Sequence, residues 1–159
     1  MSDPLICVAL GANLGDAAGT VRQALMDLDR LPDTSVLRAS SLYRTAPHEA
    51  SGPDFINAVA LVDSTLSPQM LLTALQALEL RAGRERPYRN APRTLDLDLI
   101  FYGNEVLQTP TLTLPHPRWQ ERAFVLVPLM EVCPQCVNAE MLARVKGQPI
   151  ERLPMADTR

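Results

Sequence analysis

A chain of 159 residues, 47% apolar and 21% charged, is long enough for one domain around a single sizeable core. Its net charge of −3 says little about partners, but no stretch approaches the roughly 18 apolar residues of a membrane-spanning helix. Met1-Ser2-Asp3-Pro4 lacks the basic start of a signal peptide and an odd count of cysteines argues against a secreted disulfide framework, so a cytoplasmic protein is expected.

Leu5 to Leu10 is apolar on both faces, as in a central strand, and Gly11-Ala12-Asn13-Leu14-Gly15-Asp16 reads as a glycine-punctuated turn. A helix follows, with Val21, Ala24, Leu25, Leu28 and Leu31 on one stripe, ending before Pro32-Asp33. Val36 to Tyr43 is a predicted strand, Thr45 to Asp54 a loop, and Phe55 to Val62 another strand. Ser67-Pro68 opens a second helix with an N-cap and a proline in the first position. Leu71, Leu75 and Leu78 form its buried stripe, and Gly83 can stop it. The next strand is expected over Arg93 to Tyr102, and Gly103-Asn104 offers a hairpin turn into Glu105-Val106-Leu107. Proline-rich turns, a short helix near Arg118 to Leu126 and a polar tail from about Lys146, expected to be loosely ordered, complete the chain. The order β-α-β-β-α-β predicts an α+β, ferredoxin-like fold with an additional C-terminal hairpin and short helices, in one domain over residues 1–159.

The chemistry concentrates in the strand after the second helix. On a strand, residues i and i+2 share a face about 6–7 Å apart, so Asp96 and Asp98 point one way and Leu95, Leu97 and Leu99 the other. Paired carboxylates on an otherwise apolar strand are costly unless a cation balances them, and hard oxygen donors suit Mg²⁺ held together with substrate phosphates. Two surface aspartates on a solvated edge strand are the plainer alternative. Arg81, Arg84, Arg86, Arg89 and Arg93 crowd in just before this strand, and the guanidinium fork suits bidentate phosphate recognition. Gln76 and Glu79 share a helix face, either as binding groups or as solvated side chains. Pro115-His116-Pro117-Arg118 with Arg122 forms a possible phosphate cluster, against a structural histidine. Cys133-Pro134-Gln135-Cys136 lacks the further ligands of a zinc site and the context of a redox motif, so its spacing reads as incidental. Neither a P-loop nor G-x-G-x-x-G is present at Gly11 to Gly15.

Taken together, these pieces resemble the 6-hydroxymethyl-7,8-dihydropterin pyrophosphokinase family from about Ile6 to Pro134. The most specific element is Pro92-Arg93-Thr94-Leu95-Asp96-Leu97-Asp98. It is supported by Leu10-Gly11-Ala12-Asn13-Leu14-Gly15, Ser41-Leu42-Tyr43-Arg44-Thr45, Phe55-Ile56-Asn57-Ala58-Val59, Leu78-Glu79, Pro115-His116 and Arg122-Ala123-Phe124. The resemblance implies transfer of the β,γ-pyrophosphoryl group of ATP to the pterin hydroxymethyl oxygen in folate biosynthesis, giving AMP. It implies that Asp96 and Asp98 hold two Mg²⁺ ions. Arg84, Arg86 and Arg93 match catalytic positions; Gln76, Glu79, Arg93, His116 and Arg122 match the ATP site. Thr45, Phe55, Asn57 and Phe124 match the pterin site, the two phenylalanines as a sandwich around the ring. The family's tryptophan before the signature has no counterpart, with Tyr88 or Asn90 nearby, and Ala91 replaces a common glycine before Pro92.

Two rival readings stand beside this one. A Mg²⁺-dependent nucleotidyltransferase or nuclease uses a similar aspartate pair and is told apart by its products. An RRM-like RNA-binding module shares the element order but needs an aromatic RNP1 pattern absent here, and an acidic chain suits it poorly. The expected partners are therefore small molecules, ATP and the pterin, with no nucleic acid or membrane and the chain a monomer.

Overall fold

The computed structural model describes residues 4–46, 53–83 and 95–154. Its centre is an antiparallel sheet in which β1 (Ile6–Ala12) lies between β4 (Phe55–Ser64) and β5 (Asp96–Tyr102). The strand order is β5-β1-β4-β3-β8, with β3 at Tyr43–Thr45 and β8 at Ile150–Arg152, and β2 (Thr34–Ala39) also pairs with β4. Helices α1 (Ala17–Asp29) and α2 (Pro68–Ala82) cover one face. The other face is covered over part of its area by α3 (Ala123–Val132) and α4 (Ala139–Arg144).

Alternation along the strands builds both layers. Leu10, Ala12, Ile56, Ala58, Leu97 and Leu99 are buried with Val21, Leu28, Leu71, Leu75 and Leu78 on the α1/α2 side. Cys7, Ala9, Val59, Leu61 and Ile100 pack with Val125, Leu126 and Leu129 of α3 on the other. The predicted cap of α2 forms as read, Ser67 accepting from the Met70 N–H with Pro68 first in the helix, and α1 proves to be capped by Asp16, which accepts from the Gly19 N–H.

Several boundaries differ from the sequence expectation. Gly11 and Ala12 belong to β1 rather than to the turn, with Gly11 opposite both Asn57 and Asp96. A Cβ there would stand 3.0 Å from Asn57 Oδ1, so a glycine lets a strand run on beneath that amide. The strand expected from Val36 to Tyr43 is broken at Ser40, whose hydroxyl accepts from the Val59 N–H and replaces a ladder bond. Gly103 does turn, at φ 56°, but β6 (Leu107–Gln108) pairs with β7 (Thr113–Leu114) in a separate hairpin, not with β5. The outer edge of β5 is already engaged: Leu97 N–H donates to Glu79 Oε2, and Ile100 C=O accepts from His116 N–H.

The short helix expected near Arg118 to Leu126 resolves into a 3-10 turn, Trp119–Glu121, and the ten-residue α3. Residues after Lys146 supply β8, which pairs with β3. Cys133 and Cys136, whose spacing read as incidental, are joined as a disulfide at the end of α3. The 3-10 turn Pro134–Cys136 folds back at the helix end and brings the two sulfurs together, with a Cα separation of 5.5 Å.

Candidate active site

The half of the sheet face left open by α3 forms the floor of a cavity of about 510 Å³. Across that floor, cross-strand register sets Asn57, Gly11 and Asp96 in one row, and Val59, Ala9 and Asp98 in the next. Two strand spacings of about 4.8 Å put Asn57 and Asp96 about 10 Å apart at the backbone. The walls come from Thr45, Ala46 and Phe55 on one side and from Arg118, Glu121, Arg122, Ala123 and Phe124 on the other, closed by Gly147, Gln148 and Pro149. One end of this cavity is therefore acidic and the other carries the Asn57 amide, with Phe55 and Phe124 also in the lining.

Asn57 is buried, and its Nδ2 donates to Thr45 Oγ1 at 2.7 Å. An amide has two donor hydrogens and an acceptor oxygen, so the bond to Thr45 orients it and leaves further capacity facing the cavity. At the other end Arg122 Nη1 lies 4.0 Å from Asp98 Oδ2, and its guanidinium sits 5.3 Å from the centre of the Phe124 ring. Arg122 thus links the acidic end to one of the two phenylalanines.

Glu79 reaches from the last turn of α2 to accept from Leu97 N–H at 2.7 Å, fixing the strand between the two aspartates. Gln76 is exposed one turn earlier, and neither residue lines the cavity. His116 faces a neighbouring hollow lined also by Trp119, Glu121, Arg144 and Gln148. Its Nδ1 accepts from Arg118 N–H at 3.1 Å. Burial pushes the His116 pKa below the ordinary value; Asp98 opposes the shift, whereas Arg122 and Arg118 add to it. The ring is consequently neutral near pH 7. Arg84, Arg86 and Arg93 lie outside the described residues, as do Tyr88, Asn90 and Ala91.

The wall that carries Thr45 is braced from behind. Glu131 on α3 accepts from Ser41 N–H at 3.0 Å, from the Ser41 hydroxyl at 2.9 Å and from the Tyr43 hydroxyl at 2.7 Å, with Arg152 at 3.5 Å. Burial would raise the Glu131 pKa, but the hydrogen bonds from Tyr43 and Ser41 and the charge of Arg152 outweigh it, so the net shift is downward. Tyr43 responds in the opposite sense: burial and the Glu131 carboxylate push its phenol up to about 12. Tyr43 and Thr45 lie on the same strand, so this network ties the partner of Asn57 to α3.

The sequence reading missed Glu121 and the segment Gly147-Gln148-Pro149. The latter carries a turn signature but nothing that announces a cavity wall, because its contacts are made across the fold. Among the described residues, no cluster of three or more His, Cys, Asp or Glu side chains forms a protein-only metal cage. The two aspartates instead offer the partial, oxygen-only donor set that Mg²⁺ accepts when waters and phosphates supply the rest.

Residues 7–134 match the family model described as 7,8-dihydro-6-hydroxymethylpterin-pyrophosphokinase. The chain belongs to that family. Its relatives in the pyrophosphokinase family include the 2-amino-4-hydroxy-6-hydroxymethyldihydropteridine pyrophosphokinase of Pseudomonas aeruginosa, 43% identical over 95% of this chain and 98% of that one. The Haemophilus influenzae protein of the same name is 39% identical over 89% of this chain and 90% of that one. Among solved structures, wild-type HPPK-DHPS of Plasmodium falciparum shares the fold with a TM-score of 0.65 at 12% identity. That match covers 92% of this chain but only 41% of the longer protein. The α+β architecture of the pyrophosphokinase family is therefore present here, with an antiparallel sheet and helices on both of its faces. No helix among the described residues is long and apolar enough to cross a membrane.

Proposed function

We propose that the open half of the sheet face is the active site of a folate-pathway pyrophosphokinase. The pterin's hydroxymethyl oxygen attacks the β-phosphorus of ATP, the bond from that phosphorus to the α-phosphate's bridging oxygen breaks, and AMP leaves. The observation that carries this reading is the arrangement of the cavity. A carboxylate pair stands about 10 Å across the floor from a buried amide, with a phenylalanine on each wall. That span suits a phosphate chain at one end and a flat, polar heterocycle at the other.

In this reading Phe55 and Phe124 stack on the two faces of the pterin, and Asn57, steadied by Thr45, reads its edge. Asp96 and Asp98 would hold Mg²⁺ ions, two by family resemblance, which neutralise phosphate charge when bound. Arg122 and His116 contact the ATP phosphates, while Gln76 and Glu79 belong to the nucleotide side, Glu79 also by holding the aspartate strand. Arg84, Arg86 and Arg93 act on the transferring group. Catalysis then rests on positioning and charge, since phosphoryl chemistry asks little covalent work of the protein.

The strand order β5-β1-β4-β2 with its two crossing helices supports a ferredoxin-like core. The same reading has the protein work as a monomer in the cytoplasm on two small molecules, ATP and the pterin, without nucleic acid. The aspartate pair alone would equally serve nucleotidyl transfer, but a buried amide in a cavity that two phenylalanines also line favours the pterin. The test is to incubate the protein with ATP, Mg²⁺ and 6-hydroxymethyl-7,8-dihydropterin and identify the products. AMP with a diphosphorylated pterin is expected; release of inorganic pyrophosphate with an adenylated product would overturn the assignment.

A further inference from the structure

Gln148 stands between α4 and β8, far in sequence from the aspartates, yet it lines the cavity. Its Oε1 accepts from Ala123 N–H at 2.9 Å, and its Nε2 donates to Glu121 C=O at 2.8 Å. One planar amide therefore bridges the carbonyl just before Arg122 and the N–H just after it. Both bonds satisfy backbone groups that the local structure leaves open. Arg122 is the N-cap of α3 and supplies no side-chain cap, so the Ala123 N–H would otherwise be an orphan of the first turn.

Arg122 itself is an extended joint, φ −123° and ψ 116°, between the 3-10 turn and α3. The flanking peptides set the direction of its side chain, and Gln148 holds both. That direction matters because the guanidinium lies 4.0 Å from Asp98 and 5.3 Å from the Phe124 ring centre. Gln148 also has its own main-chain anchor, donating its N–H to Val145 C=O at 2.9 Å, so the brace is rooted in α4's end.

We propose that Gln148 is a positioning residue for pyrophosphoryl transfer, acting through Arg122 on the phosphate end of the site. This rests on the function proposed above. A misplacement of about 1 Å in a group that orients reacting atoms costs up to roughly 100-fold in rate, whereas binding by the rest of the site persists. Gln148→Ala removes both bonds. Its kcat is expected to fall at least about tenfold, with the KM for the pterin changed by less than about threefold. In an Arg122→Ala background, the same substitution is expected to cost less than about twofold, since coupled residues do not add.

Gln148→Glu is the second variant. It keeps an acceptor for the Ala123 N–H, and thus the helix cap, but cannot donate to Glu121 C=O. Its kcat is expected to fall while the KM for the pterin changes by less than about threefold, a split that a merely destabilised fold would not produce; if Gln148→Ala does not fold, this variant decides. Wild-type kcat in folded variants, or an equal loss with and without Arg122, would overturn the inference. Failure of the wild-type protein to form AMP from ATP and the pterin would instead strike at the proposed function.

Discussion

Replacing Glu131 by alanine tests how the cavity wall that carries Thr45 is held. The carboxylate accepts three hydrogen bonds of 2.7–3.0 Å, from the Ser41 N–H, the Ser41 hydroxyl and the Tyr43 hydroxyl. Bonds to a charged group contribute about 1.5–3 kcal/mol each. Glu131 keeps 27% of its side-chain exposure, and Ser41 can turn to water, so the three together are discounted to about 2–4 kcal/mol. For a chain of this size that corresponds to a fall in melting temperature of roughly 4–16 °C. Differential scanning calorimetry at pH 7 reads it directly. The pH dependence supplies a second check. Because the folded-state pKa of Glu131 is depressed, its contribution is fully present above the ordinary carboxylate value and is lost as pH falls through the lower, folded value. Glu131→Gln cannot titrate, so its gap from wild type should hold steady from neutral pH to the ordinary carboxylate range and close below it. A melting shift under about 2 °C for Glu131→Ala, or a gap that widens in acid, would refute the reasoning.

Two further outcomes bear on the cavity. Asp98→Ala is expected to lower turnover by about two to three orders of magnitude at saturating Mg²⁺ while the melting temperature holds, and stopped-assay kinetics with calorimetry check both. Asn57→Ala is expected to weaken pterin binding by about 1–3 kcal/mol with ATP affinity near wild type, and titration calorimetry showing intact pterin affinity would take Asn57 out of the site.

What could be read in advance followed local periodicity. The central strands, both long helices, the cap of the second and the shared face of Asp96 and Asp98 are written in alternation and in single residues such as Ser67 and Pro68. Asn57 stood out as an amide among apolar neighbours, and the structure buries it beside Thr45 in the cavity. Less legible were features decided by distant partners. The break at Ser40 depends on Val59, and the isolation of the β6–β7 hairpin depends on Glu79 and His116 having already taken the edge of β5. The polar composition after Lys146 hid a strand whose role is to pair with β3, and hid Gln148 beside it. The cysteine pair was missed for the same kind of reason: only the turn at the end of α3 brings the sulfurs together.

The strands beneath the cavity serve two masters at alternate residues. Asn57 sits between Ile56 and Ala58, Gly11 between Leu10 and Ala12, and Asp98 between Leu97 and Leu99, each flanking residue buried in the α1/α2 layer. A slip of β4 or β5 by one position would drive an amide or a carboxylate into hydrocarbon, and a slip of any of the three would turn apolar side chains out to water. Misregistered chains are thus unstable chains, and cells hold no reservoir of well-folded protein with a scrambled cavity floor. Quality control that senses only exposed apolar surface therefore also inspects, without contacting it, the geometry on which the chemistry depends.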